Sequence, residues 1–112
     1  MSKEFFNDPK IKSAQALIHR TLLEYQSEIT KVRPADKSKE KLYLRDLNRF
    51  SKVRGGNLLY PYITSGLGNG PFVKLLDGSV KYDLINGIGV HWGHSVPYLI
   101  NACVKGALQD TV

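Results

Sequence analysis

The sequence predicts an α+β chain: two N-terminal helices, a three-stranded antiparallel meander and a following helix. Three observations predict it. Apolar residues recur at spacings of three and four through the first half of the chain. From Phe72 the period shortens towards that of strands. The dipeptides Asp77-Gly78 and Asn86-Gly87 then mark two tight turns between short runs. At 112 residues the chain is one small domain or a piece of a larger one, able to bury only a modest core.

The first helix starts at Asp8, a good cap, with Pro9 at the first helical position, where a missing N–H costs nothing. Ile11, Ala14, Ile18, Leu22, Tyr25, Ile29 and Val32 follow as one apolar stripe, and Arg33-Pro34 stops the helix. A second helix starts near Asp36 or Ser38 and runs to about Val53, with Leu42, Leu44, Leu47 and Phe50 as its apolar residues. Gly55-Gly56 closes it. These elements make residues 1–57 a helical lead-in. Residues 58–71, rich in Gly, Pro and Tyr, read as a loop. The last unit, 72–112, contains strands Phe72–Leu76 and Ser79–Ile85, a third strand over Ile88–Trp92, and a helix opened by Pro97 with Ser95 as its cap. That helix would bury Leu99, Ile100, Cys103, Val104, Ala107 and Leu108.

Composition excludes several classes. No apolar run approaches the ~20 residues of a bilayer span, and the N-terminus lacks the layout of a signal peptide. Cys103 is the one cysteine, so no internal disulfide and no four-cysteine zinc site can form, and a reduced cytoplasmic location is the expectation. Charge is concentrated. Lys31 to Arg54 holds nine basic residues against three acidic ones, which is the whole net charge of +6. Such a field could attract phosphate backbones or acidic surfaces, although a solvated helix face is the simpler account of it.

Isolated motifs give little chemistry. Gly66-Leu67-Gly68-Asn69-Gly70 leads into a strand and not into a helix, so it lacks the helix N-terminus of a nucleotide loop. His91 and His94 lack a third converging ligand, and no metal is expected. His94 reads as a hydrogen-bonded structural residue at a strand-to-helix junction, Asp77 as a turn residue and Asp83 as a strand-end residue. Cys103, on a buried helix face, would be an inert small hydrophobe.

The ordered run from Gly68 onward carries more. Gly68-Asn69-Gly70-Pro71-Phe72-Val73 leads to Leu76-Asp77-Gly78-Ser79-Val80-Lys81-Tyr82-Asp83-Leu84, then to Asn86-Gly87-Ile88-Gly89-Val90 and Gly93-His94-Ser95-Val96-Pro97. Over this stretch the chain resembles the N-terminal part of class III aminotransferases. These are pyridoxal-phosphate enzymes of fold type I, including the acetylornithine, ornithine and 4-aminobutyrate enzymes. Between Asp83 and Gly93 the chain is one residue shorter than the family pattern.

The resemblance implies an N-terminal segment of an enzyme that moves an amino group from an amine or amino acid to an oxo acid. It implies pyridoxal 5'-phosphate as the cofactor of the full-length parent, with the Schiff-base lysine and the acidic partner of the pyridinium nitrogen further along the chain. No catalytic residue is therefore expected among these residues, and the chain alone should be inactive. The implied substrate-pocket residues are Ile88, then Gly89, Val90, His91 and Trp92, with Tyr60 from the preceding loop. Gly93, His94 and Pro97, like Asp77 and Gly78, are implied structural turn residues. The implied partners are the remainder of the same polypeptide and a second copy in a homodimer, with no membrane and no nucleic acid. Residues 1–57 receive no role from the resemblance. The alternative reading is a stand-alone basic module binding nucleic acid or an acidic protein through the second helix.

Overall fold

The computed structural model describes residues 3–84 and 92–109. The elements in order are α1 (Lys3–Asn7), α2 (Pro9–Gln26), a 3-10 turn (Lys37–Lys39), α3 (Glu40–Arg54), β1 (Thr64–Asn69), β2 (Phe72–Leu75), β3 (Val80–Tyr82) and α4 (Pro97–Ala107). Among the described residues the fold is α+β, with four helices and one three-stranded antiparallel sheet in the order β1-β2-β3.

Local chemistry explains the helix boundaries. Asp8 caps α2 by accepting from the Lys10 backbone N–H at 2.7 Å, with Pro9 in the first turn. α3 ends where Gly55 takes the left-handed conformation at φ 81°. Pro97 opens α4 as its position predicts, but Val96 is the residue at the cap. Ser95 directs its hydroxyl elsewhere, accepting from the Gly68 N–H at 3.1 Å.

Three further expectations are corrected. α2 stops at Gln26 and not at Arg33. Arg33 instead exchanges two backbone hydrogen bonds with Val80, both 3.0 Å, so the approach to Pro34 runs beside β3. The predicted α2 stripe is correspondingly rotated: Ile18 and Tyr25 are exposed, while Ile11, Gln15, His19, Leu22 and Gln26 face inward. Next, part of the predicted loop 58–71 forms β1, which pairs Asn69 with Phe72 across Gly70-Pro71. Its glycine-rich sequence hides a strand because its backbone demands outweigh strand propensity. The meander is therefore β1-β2-β3, and the third strand predicted over Ile88–Trp92 falls mainly on residues outside the described ones. Finally, Cys103 is exposed, and Leu99 and Leu108 are each 42% exposed. The face of α4 expected to be buried is only partly covered.

The core is small. Among the described residues the buried apolar side chains are Ile29, which follows α2, Tyr43 of α3, Leu75 of β2 and Val80 of β3. The chain exposes 8766 Å², against about 6,200 Å² for a compact monomer of its mass. Its radius of gyration is 17.5 Å, against about 13 Å for a compact domain of this length.

Candidate functional site

A concavity of about 660 Å³ opens on the sheet. Val73 and Leu75 of β2 and Lys81 and Tyr82 of β3 line it, together with Tyr60 and Tyr62 from the segment before β1. Pairing explains how these strands come together. Phe72, Val73 and Lys74 face Tyr82, Lys81 and Val80 across an Asp77-Gly78 turn, in which the Asp77 carboxylate accepts from the Ser79 N–H at 2.9 Å and hydroxyl at 2.6 Å. The Phe72 and Tyr82 rings lie 4.8 Å apart. Lys81 places its ammonium 5.2 Å from the Tyr62 ring centroid, within cation–π range.

One rim of the concavity is a knot of polar contacts. His94 and Asp83 both line the cavity, and their side chains meet at 2.7 Å. An ionised carboxylate only accepts, so His94 Nε2 carries the proton and donates to Asp83 Oδ2. The His94 backbone N–H donates to the Gly70 carbonyl at 2.8 Å, and Asp83 N–H donates to the Pro71 carbonyl at 2.9 Å. Gln26, 4% exposed, sends its amide N–H groups to the Gly68 carbonyl at 2.9 Å and the Ser95 carbonyl at 2.7 Å. Asn69 returns the connection by donating to the Gln26 and Ile29 carbonyls. The end of α2, the β1 edge and the turn before α4 are thus joined by buried or half-buried hydrogen bonds, which are costly to leave unmade.

The glycines of this knot answer to close approach. A Cβ on Gly68 would fall against His94 Cβ and 2.6 Å from the Phe72 carbonyl oxygen. Gly93, at φ 92°, lies against Gly70, and a Cβ there would meet the Gly70 Cα at 2.9 Å. Gly68 and Gly70 therefore form a seat for the Gly93-His94 turn, and the Gly68 N–H is already taken by Ser95.

Among the sequence-predicted site residues, Tyr60 lines the concavity. Trp92 is 78% exposed and is not part of its lining. Ile88, Gly89, Val90 and His91 lie outside the described residues. His94 is hydrogen-bonded to Asp83 in the turn before α4, and the Asp77 carboxylate braces the turn between β2 and β3. Gln26, Asn69 and the Asp83–His94 pairing escaped sequence reasoning. A glutamine on the inward side of α2, one helical step from Leu22, is the signal that could have exposed the first of them.

The described lining residues do not compose a pyridoxal-phosphate site. Among the described lining residues the lysine is Lys81, half-exposed over Tyr62, and the carboxylate is Asp83, bound by His94. Neither supplies the dry amine or the free acid such a cofactor needs. Among the described residues no three His, Cys, Asp or Glu side chains gather to hold a metal ion, and no helix is long and apolar enough to cross a membrane. No family model, curated protein or solved structure matches the chain.

Proposed function

We propose that this chain is the N-terminal segment of a pyridoxal-phosphate-dependent class III aminotransferase. On this reading the Schiff-base lysine and phosphate cup come from chain beyond these residues, and the 112 residues alone are inactive. The observation that carries the reading is the order of the motifs from Gly68 to Pro97, and their physical interdependence supports it. Gly68 and Gly70 seat Gly93 and His94, and Asp83 binds His94, so motifs distant in sequence meet in one knot. A surface about 40% larger than a compact monomer of this mass would expose is consistent with a piece that expects covering.

The contribution of this chain to the parent would be architectural and substrate-shaping. The sheet would present Tyr60 towards the amino donor and the oxo acid. The knot would fix Asp83 through Pro71 and His94 through Gly70. The partners on this reading are the remainder of the polypeptide and a second copy, in a cytoplasmic homodimer. When bound, pyridoxal phosphate would supply the electron sink for amino-group transfer in the parent.

The test is the intact mass of the natural gene product, followed by an amino-transfer assay on it. A product several times longer than 112 residues, active with an amino donor and an oxo acid, is expected. A natural product of this length, or stoichiometric transamination by the 112-residue chain itself, would overturn the reading.

A further inference from the structure

The densest charge in the molecule lies on α3, a region to which the aminotransferase reading gives no role. α3 is anchored to the fold on one side: Tyr43 is 8% exposed, and its hydroxyl donates to the Pro61 carbonyl and accepts from the Ile63 N–H, both at 2.9 Å. At ~100° per residue, Lys41, Arg45, Arg49 and Lys52 fall within about 80° of one another on the opposite side. All four are exposed. Arg45 pairs with Asp46 at 3.2 Å, whereas Lys41, Arg49 and Lys52 meet no carboxylate within ion-pair distance among the described residues. The row follows the helix axis for about 16 Å.

Helix stability does not account for this placement. Lys52 and Arg54 suit the C-terminal end of a helix dipole, but Lys41 lies in the first turn, and Lys37 and Lys39 immediately precede it. A cation there opposes the dipole. Within the ~80° arc of the row itself no apolar residue falls, so the row offers cations and not the apolar anchor of a protein interface, with exposed Leu42 at its edge. Leu42, Val53 and Phe50 are exposed on the Tyr43 side of α3, turned from the centre of the row by about 60°, 80° and 140°, so an anionic membrane is the rival occupant that the vesicle arm of the test decides. A phosphate backbone needs only cations and donors along a line.

We propose that the outer face of α3 is a docking surface for the phosphate backbone of nucleic acid, engaged without regard to base sequence. The aminotransferase reading gives α3 no role and implies no nucleic-acid partner, so the test bears on α3 alone. The experiment uses the 112-residue chain and a short mixed-sequence DNA duplex, followed by fluorescence anisotropy over a range of salt. Four phosphate contacts predict a log–log salt slope of about −3.6. The K41Q/R45Q/R49Q/K52Q variant should weaken binding by at least about tenfold at ~50 mM salt and flatten the slope. A K3Q/K10Q/K12Q/K105Q variant removes the same charge elsewhere and should change affinity by less than about twofold. Circular dichroism confirms that each variant keeps its helices, since glutamine is a good helix former. Equal losses in the two variants would mean attraction by net charge alone and overturn the proposal. So would the absence of duplex binding at low salt, or equal stripe-dependent binding to phosphatidylserine vesicles.

Discussion

The knot joining α2, β1 and the turn before α4 differs from α3 in how each is held. In the knot, Gln26, Asn69, Ser95 and His94 exchange hydrogen bonds with backbone from three elements, and two glycines allow backbones to touch. α3 meets the rest of the fold through the Tyr43 hydroxyl and a partly covered apolar side. Leu42, Leu44, Phe50 and Val53 remain exposed. The contrast teaches that order and charge reside in different places. The knot fixes geometry at the rim of the concavity, while α3 presents charge and depends on few contacts.

The comparison is broken most directly at Gly68. Replacing it with alanine drives a Cβ into His94 and the Phe72 carbonyl, neither of which can yield without moving backbone. A loss of about 3 kcal/mol is expected in urea unfolding, and an unchanged midpoint would mean the seat is looser than the contacts state. Gln26→Leu keeps the bulk but strips donors from the Gly68 and Ser95 carbonyls. It should cost about 2 kcal/mol, with faster amide exchange at the β1 edge as the accompanying signature.

Changes at α3 should be smaller. Tyr43→Phe removes the bridge between Pro61 and Ile63 and should cost about 1 kcal/mol. Burial raises the Tyr43 hydroxyl above its usual 10.0. Its contribution is therefore complete below that pH and lost as pH climbs through the raised folded value. A phenolate absorbance titration should lose a late-ionising component when Tyr43 is replaced by Phe. The smallest effect is at Asp36, whose carboxylate accepts from the Ser38 hydroxyl at 2.7 Å and backbone N–H at 2.9 Å. These bonds hold its carboxyl below the usual 3.8. The stability it adds is present above that value and disappears as pH falls through the lowered folded one. The gap between the parent and Asp36→Ala should thus be visible at neutral pH and close in acid.

Legibility in the sequence tracked the range of the interactions. Asp8-Pro9, Gly55, Asp77-Gly78 and Pro97 each act within a few residues, and each was readable in advance. β1 was not, because three of its six residues are Gly or Asn and the pairing that makes it a strand comes from β2. The end of α2 was misplaced for a related reason: Ile29 continues a helical spacing, yet it is buried beyond the helix end. Within the candidate site, His94 is legible as a hydrogen-bonded turn residue, whereas Tyr60 enters only through the resemblance. Gln26, Asn69 and Asp83 act on partners 11 to 69 residues away, a distance no local pattern records.

The sequence by itself determined the α+β class, the Asp77-Gly78 turn and the confinement of net charge to residues 31–54. Each follows from near-neighbour sterics, periodicity or counting. Tertiary structure alone decided which side of α2 is covered, that the glycine-rich stretch is a strand, and that Gly68, Asp83 and His94 meet at one rim. Those outcomes depend on which backbone approaches which, and that is settled only when distant segments compete for the same small core.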